Sequence, residues 1–224
     1  MKITKYNQSC LLIETRGKRI LVDPGNIGFT EEMVEKDWVN IDIILVTHKH
    51  NDHCLDDAIN KIVTRDNAKV YTTNEVVKAH KLSNVSIVKE GDSFYIDDIK
   101  IEVTKAVHGF LTIMKINRAV INENIGFIID DGNTSLYTTS DTINFYNNYK
   151  CDVLCMPFNG NGLTMGLMDS MGFIKDINPK IVLPVHTQHP NPKMNPDIDI
   201  LKETLERENM NYKILNVGES IEVK

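Results

Sequence analysis

Apolar and polar positions alternate in short blocks along this chain, and most of the blocks read as strands. Ser9 to Thr15 and Arg19 to Val22 flank the turn Arg16-Gly17-Lys18 and predict a hairpin that closes at Asp23-Pro24-Gly25. Thr30 is placed to cap a short helix reaching Trp38, with Glu31 and Glu32 where the helix dipole favours acids. Ile41-Asp42-Ile43-Ile44-Leu45-Val46-Thr47 is a nearly unbroken apolar run rich in β-branched residues, which predicts a strand buried on both faces. It ends in His48-Lys49-His50-Asn51-Asp52-His53, and a helix over Leu55 to Val63 follows.

The pattern continues as a strand (Ala68 to Thr72), a helix (Asn74 to Lys81) and strands at Val85 to Val88, Phe94 to Ile96 and Lys100 to Val107, the last of which delivers His108. Ile125 to Ile129 and Ser135 to Thr138 predict a hairpin around Asp131-Gly132-Asn133, with Asp141 just beyond it. A strand at Asp152 to Met156, a glycine-containing loop from Asn159 to Gly166, a helix over Asp169 to Ile177 and a strand at Lys180 to Val185 tipped by His186 come next. An amphipathic helix, Pro196 to Asn209, and two short strands close the chain. The mixture predicts an α/β fold with two sheets face to face and helices outside, although periodicity alone leaves other α/β arrangements open.

Length changes this picture little: 224 residues with 42% apolar content suit a soluble globular protein, and no linker, repeat or low-complexity tract divides residues 1–224. We expect one domain. No segment has the roughly 18 unbroken apolar residues that span a bilayer, and the first residues lack a leader pattern, so the expected location is cytoplasmic, without a membrane partner. Cys10, Cys54, Cys151 and Cys155 are expected to be reduced, because a chain of this length needs no disulfide staples. Cys54 is read as packing at a helix start, and Cys151 with Cys155 as core residues sharing one strand face. A net charge of −6 with no basic run argues against a nucleic-acid partner, yet leaves room for a small anionic substrate if bound cations dominate the local field. A homo-oligomer is compatible with the sequence.

The chemistry concentrates at H-x-H-x-D-H, here His48, His50, Asp52 and His53. Four groups that bind metals within six residues can converge only if the backbone turns sharply, and a strand-to-helix loop supplies the turn. Where a turn alone were needed, Gly, Asn or Ser would serve. Imidazole nitrogen and carboxylate oxygen suit Zn2+, and also Mn2+ or Fe2+. His108, Asp141 and His186 each fall at a strand end, where groups that meet a ligand in α/β sheets lie. Singly, Asp141 reads equally as a helix cap and the two histidines as loop residues; with the cluster they read as further ligands. His80, inside a helix pattern, is read as an ordinary surface or core histidine.

The ordered series H-x-H-x-D-H, His, Asp, His resembles the metallo-β-lactamase superfamily. Leu163-Thr164-Met165-Gly166-Leu167-Met168-Asp169 and Pro179 to His186 are similar to a branch of metal-dependent hydrolases related to L-ascorbate-6-phosphate lactonase. Leu167 stands where that branch carries proline, Ser140 where glycine commonly precedes the aspartate, and Asn159-Gly160 where Gly-Gly is usual.

The resemblance implies a four-layer αββα sandwich and a hydrolase with two divalent cations. It places His48, His50 and His108 on the first and Asp52, His53 and His186 on the second, with Asp141 bridging. Physically, two cations about 3.5 to 4 Å apart share a water and lower its pKa, yielding hydroxide as the nucleophile. Asp52 both ligates and orients that nucleophile. His189 is a candidate proton donor to the leaving group, and equally a solvated loop histidine, while Asp23 is a candidate acceptor behind a ligand imidazole, and equally a turn residue. The expected substrate is an ester, lactone or phosphorylated small metabolite. A phosphodiesterase or nuclease of the tRNA-processing kind and a metal-binding protein without turnover are the alternatives.

Overall fold

A computed structural model describes residues 1–145 and 148–224. The chain opens with β1 (Lys2–Lys5), β2 (Leu11–Thr15) and β3 (Lys18–Val22), then β4 (Ile43–Leu45), α1 (Asp56–Asp66), β5 (Lys69–Thr72), α2 (Asn74–Ala79) and β6 (Val85–Ile87). The second half contains β7 (Ser93–Ile96), β8 (Ile99–Ala106), α3 (Thr112–Ile116), β9 (Asn124–Asp130) and β10 (Ser135–Thr138). It ends with β11 (Val153–Pro157), α4 (Leu167–Ile177), β12 (Ile181–Val185), α5 (Ile198–Arg207) and β13 (Ser220–Glu222). The first sheet has the order β13-β1-β2-β3-β4-β5-β6 and the second β12-β11-β10-β9-β8-β7.

Alternation within the apolar runs explains why these sheets stack. Leu11, Ile13, Ile20, Val22, Ile43 and Leu45 point to the interface between the sheets and meet Ile101, Val103, Phe127, Ile129 and Val153 from the other side. Their neighbours Leu12, Leu21, Ile44 and Val46 point the opposite way, onto Trp38 and Ile59, Ile62 and Val63 of α1. In the second sheet Ile128, Tyr137, Leu154 and Met156 likewise turn out onto Phe173, Ile174 and Ile177 of α4 and Leu201 and Leu205 of α5. Both faces of each sheet are therefore buried, and the result is an αββα sandwich in four layers.

Strand direction, more than layering, decides where the loops gather. β8 and β9, and β9 and β10, pair antiparallel, whereas β10, β11 and β12 run parallel. Strands β8, β10 and β12 thus all point the same way, and their C-terminal ends share one edge of the sandwich.

Several local expectations are corrected. The helix after Thr30 is a wide turn over Met33–Asp37, in which Trp38 N–H reaches back five residues to Met33 O at 2.7 Å. Of the two closing strands only β13 forms; Tyr212 makes an isolated bridge to Val182. All four cysteines are buried and unpaired, as expected of reduced thiols. However, Cys155 faces the interface between the sheets while Cys151, just ahead of β11, lies in the outer layer against α4, so the two do not share a face. Among the described residues no helix is long and apolar enough to cross a membrane.

β1 was not apparent from the pattern because lysines punctuate it, and one of them is unusual. Lys5 is buried and, among the described residues, has no carboxylate partner; its Nζ donates to Tyr6 O at 3.0 Å and Gln188 Oε1 at 2.8 Å. Burial lowers its pKa from the ordinary 10.5 to about 8. Below pH 8 the folded chain carries this charge at a cost, and stability rises as pH climbs from about 8 to 10.5, where only the unfolded chain still binds the proton. Lys5→Met is therefore expected to raise stability at neutral pH by about 1–2 kcal/mol, the relief of the buried charge exceeding the two lost hydrogen bonds. Urea unfolding of both proteins between neutral and alkaline pH checks this: the variant should lose the alkaline rise, and a less stable variant that keeps it would refute the account.

Candidate metal centre

Residues from both sheets meet at the edge where β8, β10 and β12 end. The loop from β4 to α1 carries His48, His50, Asp52 and His53, and it turns back on itself where His53 N–H and Cys54 N–H both donate to His50 O, at 2.9 and 3.0 Å. The segment after β3 is stitched beneath this loop: Asn26 N–H donates to Asn51 O at 2.8 Å and Leu55 N–H to Pro24 O at 2.9 Å. Only glycine fits between them, since a Cβ on Gly25 would sit 1.8 Å from Asp52 O. His108 follows β8, Asp141 follows β10 and His186 follows β12.

The structure brings all seven predicted residues together. Ligand atoms of His48, His50 and His108 lie within 4.8 Å of one another, as do those of His48, His53 and Asp141, and those of Asp52, His53 and His186. His48 Nε2 is 3.2 Å from His50 Nδ1, and His186 Nε2 is 3.3 Å from Asp52 Oδ2. Asp141 Oδ2 is central, 3.5 Å from both His53 Nε2 and His186 Nε2 and 3.9 Å from His108 Nε2. His48, His53, His108, His186 and Asp141 are buried, while His50 and Asp52 are partly exposed.

Hydrogen bonds from behind orient most of the rings, leaving one nitrogen of each turned to the cluster. His53 Nδ1–H donates to Asp23 Oδ2 at 2.8 Å, so Asp23 holds a cluster imidazole. The same carboxylate accepts Thr47 N–H and Thr47 Oγ–H, both at 2.8 Å. With its proton given to Asp23, the Thr47 hydroxyl is left to accept His48 Nδ1–H at 3.0 Å. His50 Nε2–H donates to Ala119 O at 2.8 Å and His108 Nδ1–H to Gly109 O at 2.7 Å. Gln8 lies against His186, its Nε2 3.3 Å from Nδ1 and 3.2 Å from the other ring nitrogen. Asp23, Ser140 and His186, at or beside the cluster, all have positive φ, at 47°, 60° and 58°, a conformation that non-glycine residues adopt at a cost.

Charge in the cluster is divided. Burial, reinforced by neighbouring histidines, holds His48 well below the usual histidine range, and burial also lowers His50. Burial pushes His53 and His186 the same way, but Asp141 and Asp52 around both, with Asp23 beside His53, overrule it and raise their pKa values. Asp52 and Asp141 are held below the usual carboxylate range because His53 and His186 outweigh the cost of burial.

A cation fits this arrangement on a structural criterion as well as a chemical one. His53 Nε2 and Asp141 Oδ1 are buried and have no hydrogen-bond partner among the described residues, a condition native interiors rarely tolerate. Both belong to side chains whose ligand atoms converge with those of their neighbours, and the donor set of imidazole and carboxylate is one that divalent metals take.

Other candidates separate from the cluster. His189 is tied into its own loop, accepting Asn191 N–H at Nδ1 at 3.0 Å. Cys54, Asp56 and His80 also lie within 4.8 Å, but both imidazole nitrogens of His80 are engaged, Nδ1 with Asp56 and Nε2 with Lys49 O, and the thiol of Cys54 is pushed up by burial. That trio is a strut. The sequence reading missed Gln8, Thr47, Asn124 and Ala119; the first three are ordinary polar residues with no local pattern, and Ala119 acts through its carbonyl, which no sequence signal marks.

The family model described as a β-lactamase superfamily domain matches residues 2–186, a span that holds all seven residues. A "UPF0173 metal-dependent hydrolase" of Bacillus thuringiensis (strain Al Hakam) is 30% identical over 233 residues, covering 99% of each chain. A metallo hydrolase from the hyperthermophilic archaeon Ignicoccus hospitalis KIN4/I superposes with a TM-score of 0.77 at 22% identity, over 100% of this chain and 99% of that one. The metallo-beta-lactamase fold protein YhfI from Bacillus subtilis gives 0.72 at 16% identity, over 98% of both.

Proposed function

The chain belongs to the metallo-β-lactamase superfamily and to its metal-dependent hydrolases, and from that premise we propose that it cleaves an ester, a lactone or a phosphorylated small metabolite with two divalent cations. In this reading His48, His50 and His108 would hold one cation, Asp52, His53 and His186 the other, and Asp141 would serve both. The observation that carries it is the pair of buried atoms, His53 Nε2 and Asp141 Oδ1, that have no hydrogen-bond partner among the described residues, within a group of seven ligand side chains. Zn2+ suits the nitrogen and oxygen donors best, and Mn2+ or Fe2+ suit them too.

Such a pair, when bound, supplies Lewis acidity for the substrate oxygen and draws the pKa of a shared water towards neutrality. The protein's own groups do the rest. Asp52 is the carboxylate open to solvent, its side chain 22% exposed against 6% for Asp141, so it can meet a water and a substrate, orient the first and take its proton. Asp23 fixes the tautomer of His53, and through Thr47 that of His48.

Metal analysis of the purified protein, combined with a panel of lactones, thioesters, phosphodiesters and short RNA, tests the reading. The expected result is about two equivalents of metal per chain and turnover of an ester, lactone or phosphorylated compound that stops on chelation. Cleavage of RNA alone would assign a nuclease instead. Tight metal uptake without turnover of any compound would assign a binding protein.

A further inference from the structure

Helix α2 lies behind the cluster, and one of its carboxylates is more heavily engaged than any surface role requires. Glu75 Oε1 accepts Lys49 Nζ at 2.6 Å and Asn122 Nδ2 at 2.8 Å, and Oε2 accepts Asn122 N–H at 2.8 Å and Glu123 N–H at 2.9 Å. Its own N–H donates to Glu123 Oε2 at 2.8 Å. These donors outweigh burial and hold the carboxyl of Glu75 below its usual range. The Lys49 ion pair is sheltered, its side chains 18% and 13% exposed, which separates it from the screened surface pairs that contribute little.

What Glu75 grips is informative. Lys49 stands between His48 and His50. Asn122 and Glu123 lie between Ala119, whose carbonyl orients His50, and Asn124, which donates to Asp141 O at 2.7 Å and accepts Ser140 Oγ–H at 2.7 Å. From the far end of the same helix His80 holds Lys49 O at 2.8 Å, so Lys49 is fixed by both its main chain and its side chain. One short helix thus ties the loop that carries His50 to the segment that orients its ring.

We infer that Glu75 is a positioning residue, clamping the 48–50 loop to the 119–124 segment so that His50 faces His48 and His108. The inference rests on the proposed function for its metal-binding consequence, while the clamp itself is made of the protein's own groups. Loss of a residue that orients a metal ligand typically costs about 10–100-fold in affinity. Glu75→Ala should weaken one cation by that factor and leave the one assigned to Asp52, His53 and His186 nearly unchanged. Glu75→Gln should fall between, because its amide keeps an acceptor for Lys49 but sets an NH2 against the N–H groups of Asn122 and Glu123.

Two measurements test this. Cobalt(II) titration against a chelator, followed by absorption, resolves the two cation affinities. NMR of the histidine ring protons in metal-free protein reads His50 directly. The expected result is selective loss of one cobalt class together with displaced His50 signals and unmoved His53 and His186 signals. Lys49→Met, which leaves Glu75 its grip on Asn122 and Glu123, should shift the same signals less, and it serves if Glu75→Ala folds poorly. Unmoved His50 signals, or equal weakening of both cobalt classes in step with a lower Tm, would overturn the inference. Absence of cobalt uptake by the unaltered protein would overturn the proposed function instead, and the ring signals would still decide the clamp.

Discussion

Asp141→Asn is expected to reduce turnover of any substrate by about 10³-fold or more, the loss that follows when several kcal/mol of transition-state charge stabilisation disappears. Asp141 Oδ2 lies within 3.9 Å of ring nitrogens from three strand-end or loop histidines, so it is the anion shared by both halves of the proposed ligand set. Asparagine keeps the shape and cancels the charge, and its NH2 would face nitrogens that need an acceptor or a cation. The backbone should not suffer, because Asn124 is bonded to the carbonyl of Asp141 and not to its side chain. Metal content of the purified variant should fall from two equivalents towards one. A variant that keeps both equivalents and turns over within about tenfold of the original would show that Asp141 does not hold the pair together.

The parts of this architecture that could be read in advance are those with a local cause. Ile43, Ile44 and Leu45 announce a strand buried on both faces because alternate residues serve two different cores. The H-x-H-x-D-H run announces chemistry because a turn has no structural use for that many ligands. His108, Asp141 and His186 could be proposed as partners from their place at strand ends, since β8, β10 and β12 share a direction. The remainder has causes far away in the chain. β1 is hidden by lysines, one of which is buried and bonded to Gln188, 183 positions away. α3 carries Ile113 and Ile116 exposed beside a buried Met114, with Phe110 exposed just ahead of it, so no apolar face with helical spacing marks it. Glu75 looks like any acid in a first helical turn, and its four donors come from residues 26, 47 and 48 positions away.

Acid should release the metal steeply, and the sign follows from how the cluster shares its protons. Without metal, the surrounding carboxylates raise His53 and His186 against the effect of burial and so favour their protonated forms, while burial lowers His48 and His50 and favours their neutral forms. A cation needs the lone pairs of His53 and His186, so protons held there must leave as it binds. Apparent affinity should therefore rise with pH by up to about 100-fold per unit while both protons are in place. The raised histidines pull the stability of the metal-free protein the other way. The raised histidines contribute fully below 6.5 and lose that contribution as pH climbs through their folded values; the lowered Asp52 and Asp141 contribute above 3.8 and lose it as pH falls through theirs. His48 and His50, lowered by burial, act oppositely, their contribution returning as pH climbs through their folded values towards 6.5, while metal binding favours the alkaline side. Thermal unfolding with and without metal, from about pH 6 to about pH 8, should show the gap in Tm widening as pH rises. Calorimetric titrations in buffers of different ionisation enthalpy should find protons released on binding. Metal binding that releases no protons and keeps the same strength across that range would mean that His53 and His186 are already neutral, and the charge pattern derived from Asp23, Asp52 and Asp141 would be wrong.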